Sequence, residues 1–195
     1  LGKEHLMTEH VAYQDERREE LIDGKIVAMS PASTSHTYIA DGILSIFRHY
    51  LRGRKCIPFG DGLLVHLTDQ DKFVPDVMIV CDRNKIRRNG IHGAPDLVVE
   101  VLSPSTAKKD RGYKKAAYES SGVPEYWIVN PADKSIEVYL LEDGRYTLDN
   151  VYTRYPDEDL AEMTDEEKAA VITEFKCHLY DDLVIRLDDI FGDWF

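Results

Sequence analysis

A single α/β domain is what this sequence predicts, and three observations predict it. The Leu-Val-Val-Glu-Val-Leu run of residues 97–102 is β-branched and apolar almost throughout, as a central strand covered on both faces would be. Ile39, Ile43, Ile46, Phe47, Tyr50 and Leu51 recur at helical spacing, so that one face of a long helix should pack on a sheet. The 195 residues, 43% hydrophobic and 31% charged, are within the range of one domain and long enough to bury a substantial core.

The elements follow in order. Residues 19–29 read as a hairpin, because Asp23-Gly24 is a strong two-residue turn between β-prone flanks. Ser30-Pro31 ends the second strand, and Ser33, Thr34 or Ser35 can cap a helix that runs to about Arg52 and is closed by Gly53. Strands are expected around 63–67, at 73–80 and at 96–102, the last bounded by Pro95 and Ser103-Pro104. Ser105 and Thr106 cap a second helix, which Gly122 stops after Ser121, and residues 125–130 form another strand. A hairpin at 135–141 and 145–152 turns on Glu142-Asp143-Gly144. Residues 156–176 are atypically acidic, with a short surface helix from Thr164, while 182–187 and Ile190-Phe191 dock back on the body. No repeat, low-complexity segment or linker divides the chain, so residues 1–195 read as one domain. The first six, which precede Met7 and hold no signal-peptide core, are left out of the fold as a remnant.

No apolar run approaches the ~20 residues that span a bilayer, and a cytoplasmic protein with no membrane partner is expected. Cys56, Cys81 and Cys177 are odd in number and form no CxxC pair, so reduced thiols are expected rather than a zinc site or a disulfide framework. The net charge of −12 counts against a polyanionic partner, but its distribution matters more. Residues 154–195 carry 13 acidic and 4 basic residues, whereas 83–115 hold 9 basic residues against Asp96, Glu100 and Asp110.

Glu100 is the anomaly. A carboxylate inside an apolar strand must pair, take a proton or bind a metal. Alternation puts Asp96 and Glu100 on one strand face. Asp76, after Pro75 and before Val-Met-Ile-Val, starts the preceding long strand, close enough for Asp76 and Glu100 to share a cation. Oxygen ligands of this kind suit Mg²⁺ or Mn²⁺ rather than zinc. The alternative is a buried ion pair of Glu100 with Lys114 or an arginine.

The stretch from Pro95 to Thr106, then Asp110-Arg111-Gly112-Tyr113-Lys114, Tyr118 and Gly122-Val123-Pro124-Glu125-Tyr126-Trp127, resembles the Uma-type restriction-endonuclease family of the PD-(D/E)XK nuclease superfamily. Glu20-Leu21-Ile22-Asp23-Gly24, Met29-Ser30-Pro31, His36 and Pro75-Asp76-Val77 agree with it, over about residues 15–153. The resemblance implies a restriction-endonuclease-like mixed sheet flanked by helices. It also implies that Asp76 and Glu100 are the two motif acids, Glu20 an extra acid from before the core, and all three metal ligands. The superfamily's lysine belongs two residues after Glu100, where Leu102 stands, and Lys114 matches a lysine moved to the following helix.

The function so implied is a Mg²⁺- or Mn²⁺-dependent endonuclease hydrolysing DNA, with catalytic residues Glu20, Asp76, Glu100 and Lys114. A catalytically inactive nuclease-fold module for DNA binding or protein interaction is the alternative, and a homodimer is left open. DNA would meet the basic 83–115 region and avoid 154–195, with Arg83, Lys85, Arg87 and Arg88 in a loop that is solvated by default. His36 reads equally as a helix-start histidine bonded to backbone. Tyr118 and Trp127 read as packing, and Lys115, turned ~100° from Lys114, as solvated.

Overall fold

The computed structural model describes residues 18–192. The reading of residues 1–6 falls outside them. The chain runs β1 (Glu19–Ile22), β2 (Lys25–Ala28), α1 (Thr34–Tyr50), β3 (Ile57–Gly60), β4 (Val65–His66), β5 (Lys72–Phe73), β6 (Val77–Val80), β7 (Ile86–Arg87), β8 (Gly90–His92) and β9 (Leu97–Val101). Then come α2 (Ala107–Lys109), a π-helical turn (Asp110–Lys114), α3 (Lys115–Ser121), β10 (Glu125–Asn130), β11 (Ser135–Glu142) and β12 (Arg145–Thr153). The tail holds α4 (Asp157–Glu162), α5 (Asp165–Ala170), β13 (Glu174–Lys176), β14 (Val184–Arg186) and α6 (Leu187–Phe191).

The main sheet has the order β12-β11-β10-β9-β6-β3. It is mixed: β9 and β10 are parallel, joined by the helical crossover, and the other pairs are antiparallel. Its central strand is β9, where every residue is buried. The period-2 alternation divides β9 between two cores. Leu97, Val99 and Val101 join Val77, Trp127 and the Ile39, Ile43 and Phe47 face of α1. Val98 joins Met78, Tyr118, Tyr126 and Ile128 beneath the second sheet. That second sheet, β2-β1-β5-β4-β8-β7, is the part sequence periodicity did not foresee.

The hairpin at Asp23-Gly24 forms as expected, with Asp23 at φ 52° and Gly24 at φ 71° in the left-handed region its turn requires. Ser33 caps α1, its hydroxyl accepting from the His36 amide. The single strand expected over 73–80 is corrected: it is two. Pro75 interrupts pairing, leaving Lys72–Phe73 in the second sheet and Val77–Val80 in the main one. The loop expected at 83–89 is also corrected. Arg83–Lys85 form a 3₁₀ turn, and Ile86–His92 a short hairpin of β7 and β8.

The cysteines overturn a further expectation. The β3–β6 register sets Ile57 opposite Val80, which brings Cys56 and Cys81 face to face, and they form a disulfide. Only Cys177 is free, and it is buried. Asp96 does not join Glu100 either: its carboxylate accepts from the Cys81 amide at 2.7 Å, capping the end of β6. Among the described residues no helix is long and apolar enough to cross a membrane.

The acidic tail is anchored by Glu125. Its carboxylate accepts from Trp127 Nε1 (2.8 Å) and His178 N (3.2 Å) on Oε1, and from Leu179 N (2.8 Å) on Oε2. Both oxygens are used as acceptors, so a side-chain amide of the same shape sets an N–H against an N–H. Glu125→Gln should therefore destabilise the protein by about 1–3 kcal/mol. Thermal denaturation checks it, at roughly 2–4 °C of Tm per kcal/mol for a chain of this size; an unchanged Tm would remove Glu125 as the tail's anchor.

Candidate active site

The site begins where β6 and β9 meet. Their antiparallel register pairs Val77 with Val99, and one step further sets Asp76 opposite Glu100 on the face that carries Met78 and Val98. Side chains directly opposite in such a pair lie within ~5.5 Å at Cβ. The break at Pro75 thus places Asp76 at the strand's mouth, where two groups hold it. Oδ2 accepts from Val101 N at 2.7 Å, and Oδ1 bonds His36 Nε2 at 2.9 Å. The His36 ring meets a carboxylate, not backbone. Burial works against its protonation, but the bond and charge of Asp76 prevail and its pKa is raised.

Glu20 arrives from the second sheet. Its Oε1 accepts from Val74 N at 2.9 Å, beside the proline break. Lys114 comes from the crossover helix, where the π-helical turn widens the backbone and Tyr126 donates its hydroxyl to the Asp110 carbonyl at 3.0 Å. From there the ammonium reaches Glu20 Oε1 (2.7 Å), Glu100 Oε1 (3.0 Å) and Asp110 Oδ1 (3.8 Å). Tyr118 OH donates to the same Glu100 Oε1 at 2.7 Å, so this tyrosine is part of the site as well as of the core. The buried ion pair of Glu100 with Lys114, left open by the sequence, is present.

The balance of charge is uneven. Glu20, Asp76, Glu100 and Asp110 are all buried, at 6%, 8%, 4% and 2% exposure, against the single ammonium of Lys114 at 4%. Burial pushes the Glu100 carboxyl well up against the opposing pull of Lys114, and it pushes Asp110 up too. Burial disfavours the Lys114 ammonium, yet Glu100 and Glu20 outweigh this and raise its pKa. Asp110 Oδ1 and His36 Nδ1 are buried with no hydrogen-bond partner.

All these groups line one cavity of about 890 Å³, with Arg18, Lys109, Arg111 and Lys134 among its other walls. The four residues expected to be catalytic are therefore brought together. Among the described residues, however, no three His, Cys, Asp or Glu side chains are drawn up as ligands of one ion. It is the lysine that gathers the carboxylates. The carboxylates nonetheless fit a hard divalent cation: they supply oxygen donors in excess over one ammonium, with both bonds to Glu100 falling on Oε1.

Sequence reasoning missed Asp110 as a site residue. The available signal was its i,i+4 spacing to Lys114, which sets the two side chains on one helix face. The basic 83–115 stretch is divided. Lys109 and Arg111 line the cavity, whereas Arg83 lines a smaller hollow with Arg48, Arg52 and Arg54 at the far end of α1, about 25 Å away at 1.5 Å rise per residue. Lys115 is not freely solvated but lies over the Tyr139 ring, 3.5 Å from its centroid.

The frame of the site is a mixed sheet with an Asp–Glu pair across its central strands and a lysine from the crossover helix. A solved structure from Anabaena variabilis, described as "a putative nuclease belonging to DUF820", shares the fold with a TM-score of 0.68 over 91% of both chains, at 19% identity. The family model "Uma2: Putative restriction endonuclease" matches residues 7–168, and the chain belongs to that family. Two Synechocystis relatives are the "Uncharacterized protein slr1290", 31% identical over 69% of this chain and 73% of its own length, and "Uncharacterized protein sll1609", 25% identical over 70% and 77%.

Removing the Lys114 charge should leave Glu20, Glu100 and Asp110 uncompensated and cost roughly 3–5 kcal/mol. Lys115→Met should cost no more than about 1 kcal/mol. The pH dependence has a definite sign. Glu100 keeps its proton in the folded state above the pH at which the unfolded chain loses it, so the unfolded state binds fewer protons and stability falls as pH rises through that window. Without Lys114 the window widens, so Lys114→Met should regain stability between pH 8 and pH 5 relative to the parent. Chemical denaturation at both pH values measures this, and a parallel pH profile for the two proteins would contradict it.

Proposed function

We propose that this protein is an endonuclease dependent on Mg²⁺ or Mn²⁺ that hydrolyses phosphodiester bonds of DNA. The observation that carries the reading is the excess of buried carboxylate around one lysine at the floor of a cavity, in a chain of a restriction-endonuclease family. Glu20, Asp76 and Glu100 would hold the cation. When bound, such an ion polarises a phosphate oxygen and lowers the pKa of water. The chain's own residues do the rest. His36 Nε2 and Val101 N fix the two oxygens of Asp76. Tyr118 and Lys114 fix Oε1 of Glu100. Lys114, held protonated by its carboxylate neighbours, presents a positive charge to the phosphate as negative charge develops on it. Lys109 and Arg111 support DNA as the partner at the cavity.

One observation favours a second reading, a nuclease-fold module without catalysis that binds DNA or a protein. The Lys114 ammonium already occupies the space between Glu20 and Glu100. The two readings part on an oligonucleotide cleavage assay. The parent protein should cut labelled DNA with Mg²⁺ or Mn²⁺ and lose activity with EDTA. Lys114→Ala should reduce the rate by about 10²–10³, the usual cost of removing one transition-state charge partner, and Lys115→Ala should leave it within severalfold. No cleavage by the parent would favour the module, and equal losses in both variants would remove Lys114 from the chemistry.

A further inference from the structure

We propose that the substrate strand enters this site unpaired: the cavity takes single-stranded DNA, or the frayed or overhanging end of a duplex, and excludes the intact double helix. The inference rests on the nuclease reading above and names its substrate class. Three observations carry it.

The first is depth. Every group proposed to act on the phosphate is nearly inaccessible, from Glu100 and Lys114 at 4% to Asp76 at 8% exposure. The second is size. At about 890 Å³ the cavity lies within the ~300–1,000 Å³ that proteins use to surround a small ligand. Its walls come from separate segments, among them residues 28–33 before α1, 103–107 after β9, and 130–132 with Lys134 in the β10–β11 turn. A duplex carries its two backbones on the outside of a cylinder that stays stiff over ~50 nm, so bringing one phosphate down between such walls carries a deformation cost. A single strand avoids that cost, because its unstacked bases splay away from the backbone.

The third is the rim. Arg18 and Arg111 also line the cavity, but each is paired, with Asp61 and with Glu137. Lys109 and Lys134 line it too, and among the described residues neither has an ion-pair partner. An acidic floor between two unpaired cations suits a strand whose flanking phosphates sit on the rim while one phosphate descends. Met29, Pro31, Pro104 and Phe191 add apolar wall against which an unstacked base can rest.

The test compares a short single strand, the blunt duplex of the same sequence, and that duplex with an unpaired overhang. Binding is read by fluorescence anisotropy with Ca²⁺, and cleavage on gels with Mg²⁺ or Mn²⁺. The single strand should bind and be cut with a preference of roughly tenfold or more, which is about 1.4 kcal/mol. In the third substrate, cuts should be confined to the overhang. Lys109→Ala with Lys134→Ala should lower the slope of log affinity against log salt by about 1.4, at ~0.7 for each single-strand phosphate that is no longer neutralised. Equal binding and cleavage of the blunt duplex would overturn the inference and leave the nuclease reading standing. Selective binding of the single strand with no cleavage of any substrate would do the reverse. An unchanged salt slope in the double variant would overturn the assignment of the rim, and binding of neither form would overturn the inference outright.

Discussion

One ammonium group ties this molecule together. Lys114 Nζ, on a buried side chain, meets Glu20 from the second sheet, Glu100 from the central strand of the main sheet and Asp110 from its own helix. A buried charge without a partner is costly, so none of these elements can hold its place without the others. Glu20 extends the tie further, because the oxygen that meets Lys114 also accepts from Val74 N, next to the break that frees Asp76. The second sheet is thereby fastened to the main one at the site itself. The π-helical turn has its explanation here: it carries both Asp110 and Lys114, and both are buried on the side of the sheet.

The same arrangement leaves charge over. One lysine cannot neutralise four carboxylates; His36 meets Asp76, and burial pushes the carboxyls of Glu100 and Asp110 up. A structural ion pair built only for stability would have no reason to keep the surplus, since apolar residues of similar volume are commonly as stable or more so. On the reading proposed above, a bound cation would meet that surplus. Asp110 Oδ1, buried without a hydrogen bond, is the most direct sign that the cluster is incomplete on its own.

How much of this was legible depends on which interactions are local. Asp76 and Glu100 could be read as neighbours because each interrupts an apolar strand, and period-2 alternation assigns their faces. The Asp23-Gly24 hairpin, α1 with its Ser33 cap and the strand over 125–130 rest on local chemistry too. Lys114 was legible as one possible buried partner of Glu100, and as a catalytic lysine only through family likeness. The Tyr118 bond to Glu100 and the His36 bond to Asp76 span 18 and 40 residues and depend on how helices settle on the sheet. The Cys56–Cys81 disulfide depends on the β3–β6 register, and β3 carried no readable alternation. The second sheet escaped notice because strands of two or three residues are too short to show a period.

The acidic tail shows how a charge count can mislead about architecture. Residues 154–195 hold 13 of the acidic residues, which suggests an appendage. Yet Phe175, Cys177, Ile185, Leu187, Ile190 and Phe191 are buried in the same core as Ile39 and Phe47 of α1. Trp127 stacks edge-on against Phe175, with ring centroids 5.2 Å apart, and its indole nitrogen shares Glu125 with the tail's own amides. The acidic residues occupy the outer face of a segment whose inner face completes the α1 side of the main sheet. Since α1 delivers His36 to Asp76, and Phe191 itself lines the cavity, the tail belongs to the site's foundation even though its charge faces away from the core.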